Sequence, residues 1–155
     1  MSKKVEGTQI EQLTHGKESA EQRQLIKWWD NNCDVLFHIP LNSLLFHIAN
    51  GGSRNYIEAC QLKLQGVRRG IPDLFLAVPR GGKHGLFIEM KRADGGTLSD
   101  FQKQFIVQAR KQGYEAWGVH GAALAKELIE KYLYEEDLEQ DENELYYKGV
   151  EKCPF

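Results

Sequence analysis

Residues 71–91 read IPDLFLAVPRGGKHGLFIEMK. Two apolar runs, Asp73 to Val78 and His84 to Lys91, flank a Pro/Gly turn signal at residues 79–83, which predicts a β-hairpin. If residues 79–83 form the loop, Val78 faces His84, and the constant pairing sum then sets Asp73 opposite Glu89. Side chains alternate along a strand. Asp73, Phe75, Phe87, Glu89 and Lys91 therefore share one face, and Leu74, Leu76, Val78, Leu86, Ile88 and Met90 share the other. Both faces are rich in apolar residues, which places the hairpin in the centre of a covered sheet.

Opposed carboxylates in such a place need a use. Across a strand pair they lie about 5 Å apart at Cβ and repel, and near a low-dielectric core one of them takes up a proton. A divalent cation removes the conflict. Mg²⁺ takes an octahedron of oxygens, usually one or two carboxylates with waters and substrate phosphate. Asp73 and Glu89 supply carboxylates, and the backbone carbonyl of Met90 offers a third protein oxygen. Lys91, on the same face, is placed to orient or deprotonate an attacking water or to stabilise charge on a phosphate. Taken alone, it reads as one half of a strand-end ion pair.

Outward from the hairpin, a helix is predicted from about Glu18 to Asn31, with Glu18, Glu21, Gln22, Leu25 and Trp29 on one face. Leu44 to Ile48 reads as a short strand, Tyr56 to Gln65 as a helix stopped by Gly66. Ser99 and Gln102 fit a capping box at the start of a helix reaching Gln112, with Gly113 beyond its end. Glu115 to Val119 reads as a strand and Ala122 to Tyr134 as a helix with an apolar stripe. The expected organisation is a loose arm over 1–17, a folded domain over 18–134 and an acidic C-terminal tail over 135–155, frayed and solvated over Glu135 to Glu144.

The 155 residues suit one domain. A 41% hydrophobic and 27% charged composition excludes a disordered or fibrous chain. Three scattered cysteines without a C-x-x-C spacing argue against a disulfide framework or a cysteine-rich zinc site, and point to a reducing compartment. No membrane span or signal peptide is read. The net charge of −2 hides an asymmetry: residues 54–111 hold 11 basic and 5 acidic side chains, whereas 134–155 hold 2 and 8. A positive middle suits a polyanion.

Ile71-Pro72-Asp73 followed by Glu89-Met90-Lys91 resembles the PD-(D/E)XK nuclease motif. The surrounding blocks are more specific. GVRRGIPDL at 66–74, LFIEMK at 86–91, Leu98-Ser99 with Gln102, and Gly113-Tyr114 together resemble the VRR-NUC (virus-type replication-repair nuclease) family over roughly residues 18–133. The resemblance implies an α/β fold with an αβββαβ restriction-endonuclease-like core, a mixed central sheet flanked by helices. It also implies Mg²⁺ or Mn²⁺ dependence and hydrolysis of DNA phosphodiesters. Small stand-alone members are similar to Holliday junction resolvases. That implies a homodimer acting on branched DNA such as a four-way junction, in the cytoplasm of a bacterial host for a phage- or prophage-encoded protein. Flap, nick or linear duplex cleavage, or an inactive DNA-binding module, are the alternatives.

Asp73, Glu89 and Lys91 carry over onto the motif, and Gln102 matches the family glutamine after the E-x-K strand. The family also has a glutamate on its first helix, for which Glu18 and Glu21 both qualify. The loop His47-Ile48-Ala49-Asn50-Gly51-Gly52 lacks the proline common in relatives; there Asn50, Ser53 and Arg54 are either phosphate contacts or a polar turn. Arg68, Arg69 and Arg92, with Arg80 and Lys83 at the hairpin tip, are candidates for positioning DNA through phosphate contacts. The five histidines read as structural or surface groups, and Trp28, Trp29 and Trp117 as core or dimer contacts.

Overall fold

Helix α1 (Lys17–Phe37) sets Leu25, Trp29, Cys33 and Phe37 four residues apart, and all four are buried. It outruns the end expected at Asn31. The amides of Asn31 and Asn32 turn back onto the carbonyls of Lys27 and Trp28 instead of breaking the helix, and the buried stripe continues beyond them. The stop comes at His38, with a left-handed φ of 56°, where the Ile39 N–H reaches the Cys33 carbonyl and Pro40 follows. The structure is a computed structural model and describes residues 17–50, 55–138, 141 and 143–149. The expected arm over 1–17 therefore lies outside it apart from the start of α1.

The remaining elements are β1 (Leu45–His47), α2 (Tyr56–Leu64), β2 (Leu74–Leu76), β3 (Leu86–Lys91), α3 (Asp100–Lys111), β4 (Glu115–His120), α4 (Ala122–Leu133) and β5 (Tyr146–Tyr147). They build one mixed sheet in the order β1-β2-β3-β4-β5, antiparallel through β3 and parallel from β3 to β5. Leu74, Leu76, Leu86, Ile88 and Met90 point to one side, where α1 and α4 cover them. On the other side Phe87 meets Leu98, Phe105, Ile106 and Ala109 from α3 and its approach. Gly118 makes this second layer possible, since a Cβ there would come within 3.0 Å of Leu98.

The central register is the expected one: Leu74 faces Ile88, Phe75 faces Phe87 and Leu76 faces Leu86. The turn is not. Arg80 and Lys83 bond to each other through both backbone groups, closing a two-residue turn on Gly81 and Gly82, which have φ of 55° and 77°. Two adjacent glycines accept the left-handed pair that such a turn demands, so the five-residue loop gives way and both strands are shorter than expected.

Beyond the acid-rich stretch the structure adds a strand that the sequence reading does not give. Tyr146–Tyr147 lie parallel to β4, with Gly118 N–H bonded to the Leu145 carbonyl and Tyr147 buried. Two aromatic residues supply apolar surface that the acid-rich composition of 135–144 conceals. Among the described residues, no helix is long and apolar enough to cross a membrane.

Candidate active site

The face of the hairpin that carries Asp73 and Glu89 is divided along its length. At one end Phe75, Phe87, Phe105 and Tyr114 fill the space under α3, with Phe75 and Phe87 4.4 Å apart at their centroids. At the other end stand Asp73, Glu89 and Lys91. Asp73 reaches across the strand pair, its Oδ2 accepting the Met90 N–H at 2.8 Å. Glu89, 4% exposed, receives the Lys91 ammonium on Oε1 at 3.0 Å. The same oxygen accepts from the Gln102 amide. Gln102 also closes the capping box of α3, its Oε1 accepting the Ser99 N–H at 2.8 Å while the Gln102 N–H bonds the Ser99 hydroxyl. One side chain thus fixes both the helix start and the buried carboxylate.

Burial raises the Glu89 carboxyl to about 7, and the neighbouring Asp73 charge pushes in the same direction against the opposing pull of Lys91. Asp73 is also raised, by burial first, with the Met90 N–H and Lys91 opposing. Without divalent ions, folded Glu89 therefore keeps a proton that the unfolded chain has lost between about pH 4.5 and about pH 7. Stability should fall as pH rises through that window and level off above it, by about 3 kcal/mol from this group. Denaturant unfolding in EDTA at about pH 5 and about pH 8 measures this; higher stability at the upper pH would contradict it.

The two first-helix acids part company. Glu21 Oε2 accepts the Ala122 N–H at 2.7 Å. It thereby caps α4, whose N-cap residue Gly121 has no side chain to do so. Glu18 lies beside the cluster, adding its negative field to both Asp73 and Glu89 and approaching Gly96 near Lys91. Of the two, Glu18 is brought to the carboxylates.

Asp73 and Glu89 open into a cleft of about 550 Å³ that is also lined by Asn50, Lys63, Arg68 and Arg69. Asn50 holds the far wall, donating to the Ile71 carbonyl at 3.3 Å. Arg68 donates to the Lys63 carbonyl at the end of α2. Arg92 is exposed and faces Asp94 at 3.7 Å, outside the cleft. Arg80 and Lys83 sit at the opposite end of the hairpin from the carboxylates. Ser53 and Arg54 lie outside the described residues. One neighbour escapes the sequence reading: His47 Nδ1 is 2.8 Å from the Asp73 carbonyl, and its charge favours ionised Asp73. The pairing of β1 with β2, which sets His47 against Leu74, was the signal for it.

The donor set suits a hard divalent ion. Asp73 and Glu89 both feel the Lys91 ammonium, and Glu18 is near enough to add its negative field to each. Asp73 uses Oδ2 and Glu89 uses Oε1 for the hydrogen bonds above, and the second oxygen of each accepts none from the described residues. Among those residues no three His, Cys, Asp or Glu side chains form a ready-made metal cage.

A mixed sheet with helices on both sides and an acid pair at the end of its central hairpin is a PD-(D/E)XK-type nuclease core. The VRR-NUC domain model matches residues 16–123, and the chain belongs to that family. It carries the domain of a nuclease of the PD-(D/E)XK type. A solved structure named "VRR_NUC domain protein" is similar at 27% identity and a TM-score of 0.65, covering 79% of this chain and 92% of that one. No curated protein matches the chain.

Proposed function

We propose that this protein is a divalent-metal-dependent endonuclease that hydrolyses phosphodiester bonds in branched DNA, with the four-way junction as principal substrate and a homodimer as the acting form. The observation that carries the reading is the pair of carboxylates, Asp73 and Glu89, set at the floor of a cleft whose walls hold Lys63, Arg68 and Arg69. Asp73, Glu89 and the Met90 carbonyl, with Glu18 beside them, are the residues that would hold Mg²⁺ or Mn²⁺. Such an ion would supply activation of water and neutralisation of phosphate charge. Gln102 keeps Glu89 in one position, and Lys91 offers its proton donors to the attacking water or the phosphate. Arg68 and Arg69 neutralise flanking phosphates, which gives salt-dependent affinity without reading sequence. Tyr56, Ile57 and Leu64, all exposed on α2, offer apolar surface to a second copy.

The test is cleavage of labelled four-way, flap, nicked and linear DNAs with Mg²⁺ or Mn²⁺. Symmetric paired nicks on the junction support the reading. Cutting restricted to flaps, nicks or linear duplex moves the substrate class, and binding without cutting makes the protein an inactive module. The first-helix acids separate when cleavage and denaturant unfolding are measured on the same variants. Glu18→Ala should slow cleavage about 10- to 100-fold with little change in stability. Glu21→Ala should lower stability by about 1 kcal/mol through the lost cap. The reverse pattern would exchange their roles.

A further inference from the structure

Phe101 stands on the first turn of α3 with 51% of its surface exposed, yet it lines the same cleft as Asp73 and Glu89. The core does not use its ring. Its backbone is held firmly: a Cβ on Gly70, whose φ is +79°, would meet the Phe101 carbonyl carbon and oxygen at 2.5 Å. The next residue, Gln102, bonds Glu89. The backbone that carries the ring is therefore fixed relative to the buried carboxylates by a single turn of helix. The Arg69 guanidinium lies 5.7 Å from its centroid, and Lys63 and Arg68 line the cleft nearby.

An apolar protein segment would suit the ring and not the cations around it; a nucleotide suits both. Its base has a π face for the ring, and its phosphate has charge for the arginines. Base-on-aromatic stacking tolerates any sequence, because every base has such a face. A base inside an intact duplex already has its faces covered by its neighbours.

We propose that Phe101 is a stacking platform for a DNA base left unpaired or unstacked at the branch, beside the phosphate presented to Asp73 and Glu89. The inference rests on the nuclease reading above and deepens it: the branch point, of a junction as of a flap, is where a base face can be bared next to the cut.

The full chain, with Ca²⁺ replacing Mg²⁺ so that binding is read apart from cleavage, is mixed with a flap DNA carrying 2-aminopurine at its first unpaired nucleotide. A fully paired duplex of equal length is the comparison. Wild type and Phe101→Tyr should change the 2-aminopurine emission on binding, and Phe101→Leu should not. The ratio of flap to duplex affinity should drop about tenfold in Phe101→Leu and return in Phe101→Tyr. A Leu variant that matches wild type in both readouts overturns the proposal. So does one that weakens both DNAs equally while keeping the emission change. Cleavage by wild type in Mg²⁺ is scored separately: its absence removes the nuclease reading, while the binding comparison still decides the platform. Failure of wild type to bind either DNA removes both.

Discussion

Asp73→Asn should abolish DNA cleavage, by about 10³-fold or more, while leaving the protein folded and, without divalent ions, more stable above about pH 7. The asparagine has the same shape, and its Oδ1 can still accept the Met90 N–H that Asp73 Oδ2 accepts at 2.8 Å. What disappears is a charge. Asp73 is one of the influences that raise Glu89, so its removal lets the Glu89 carboxyl move back toward the ordinary range. Any rise in thermal stability that Mg²⁺ gives the wild type should shrink with it, since ligand binding stabilises the folded state in proportion to affinity. Single-turnover cleavage and melting with and without Mg²⁺ report the two effects on one preparation. Cleavage within tenfold of wild type would remove Asp73 from the proposed chemistry.

Trp29→Ala should destabilise the protein by about 3–5 kcal/mol. For a chain of this size that lowers the melting temperature by roughly 6–20 °C. Trp29 has no exposed surface. Its ring stacks on Phe37 at 6.1 Å, and its indole N–H donates to the Asn42 carbonyl at 2.7 Å. Truncation removes a large apolar surface and leaves that carbonyl without its donor. Trp28, one position along, is half-buried under the Lys126 ammonium at 5.1 Å, so Trp28→Ala should show a smaller loss. Equal losses at the two positions would contradict the assignment of Trp29 alone to the centre of the core.

The hairpin shows how far sequence reasoning reaches. Apolar alternation in 74–76 and 86–90 set the faces, because a slip of one residue would turn every leucine outward. The turn itself misled. Carried straight into the strands, the Arg80–Lys83 pairing would set Asp73 against Met90. The irregular stretches at Val78-Pro79 and His84-Gly85, where Pro79 has no N–H to give and the His84 N–H goes to the Gly113 carbonyl, restore the Asp73–Glu89 alignment. Gln102 was legible twice, as a helix cap and as a neighbour of the E-x-K strand, and the structure joins the two positions. Glu18 and Glu21 were not separable. Their difference lies in a bond to Ala122, 101 residues away, which no local pattern encodes. Strand β5 was hidden for a related reason: only its partner β4 makes two tyrosines a strand.

Those tyrosines bear on anyone who would trim the protein. The Tyr146 hydroxyl accepts the Leu98 N–H at 2.6 Å, Tyr147 bonds Glu127, and Arg110 donates to the Glu144 carbonyl. Leu98 directly precedes the Ser99 that starts α3. A version cut after Leu133 would look harmless on paper, shedding an unpromising acidic end. It would in fact remove one of the ties that anchor the start of α3, the turn that carries the glutamine steadying Glu89.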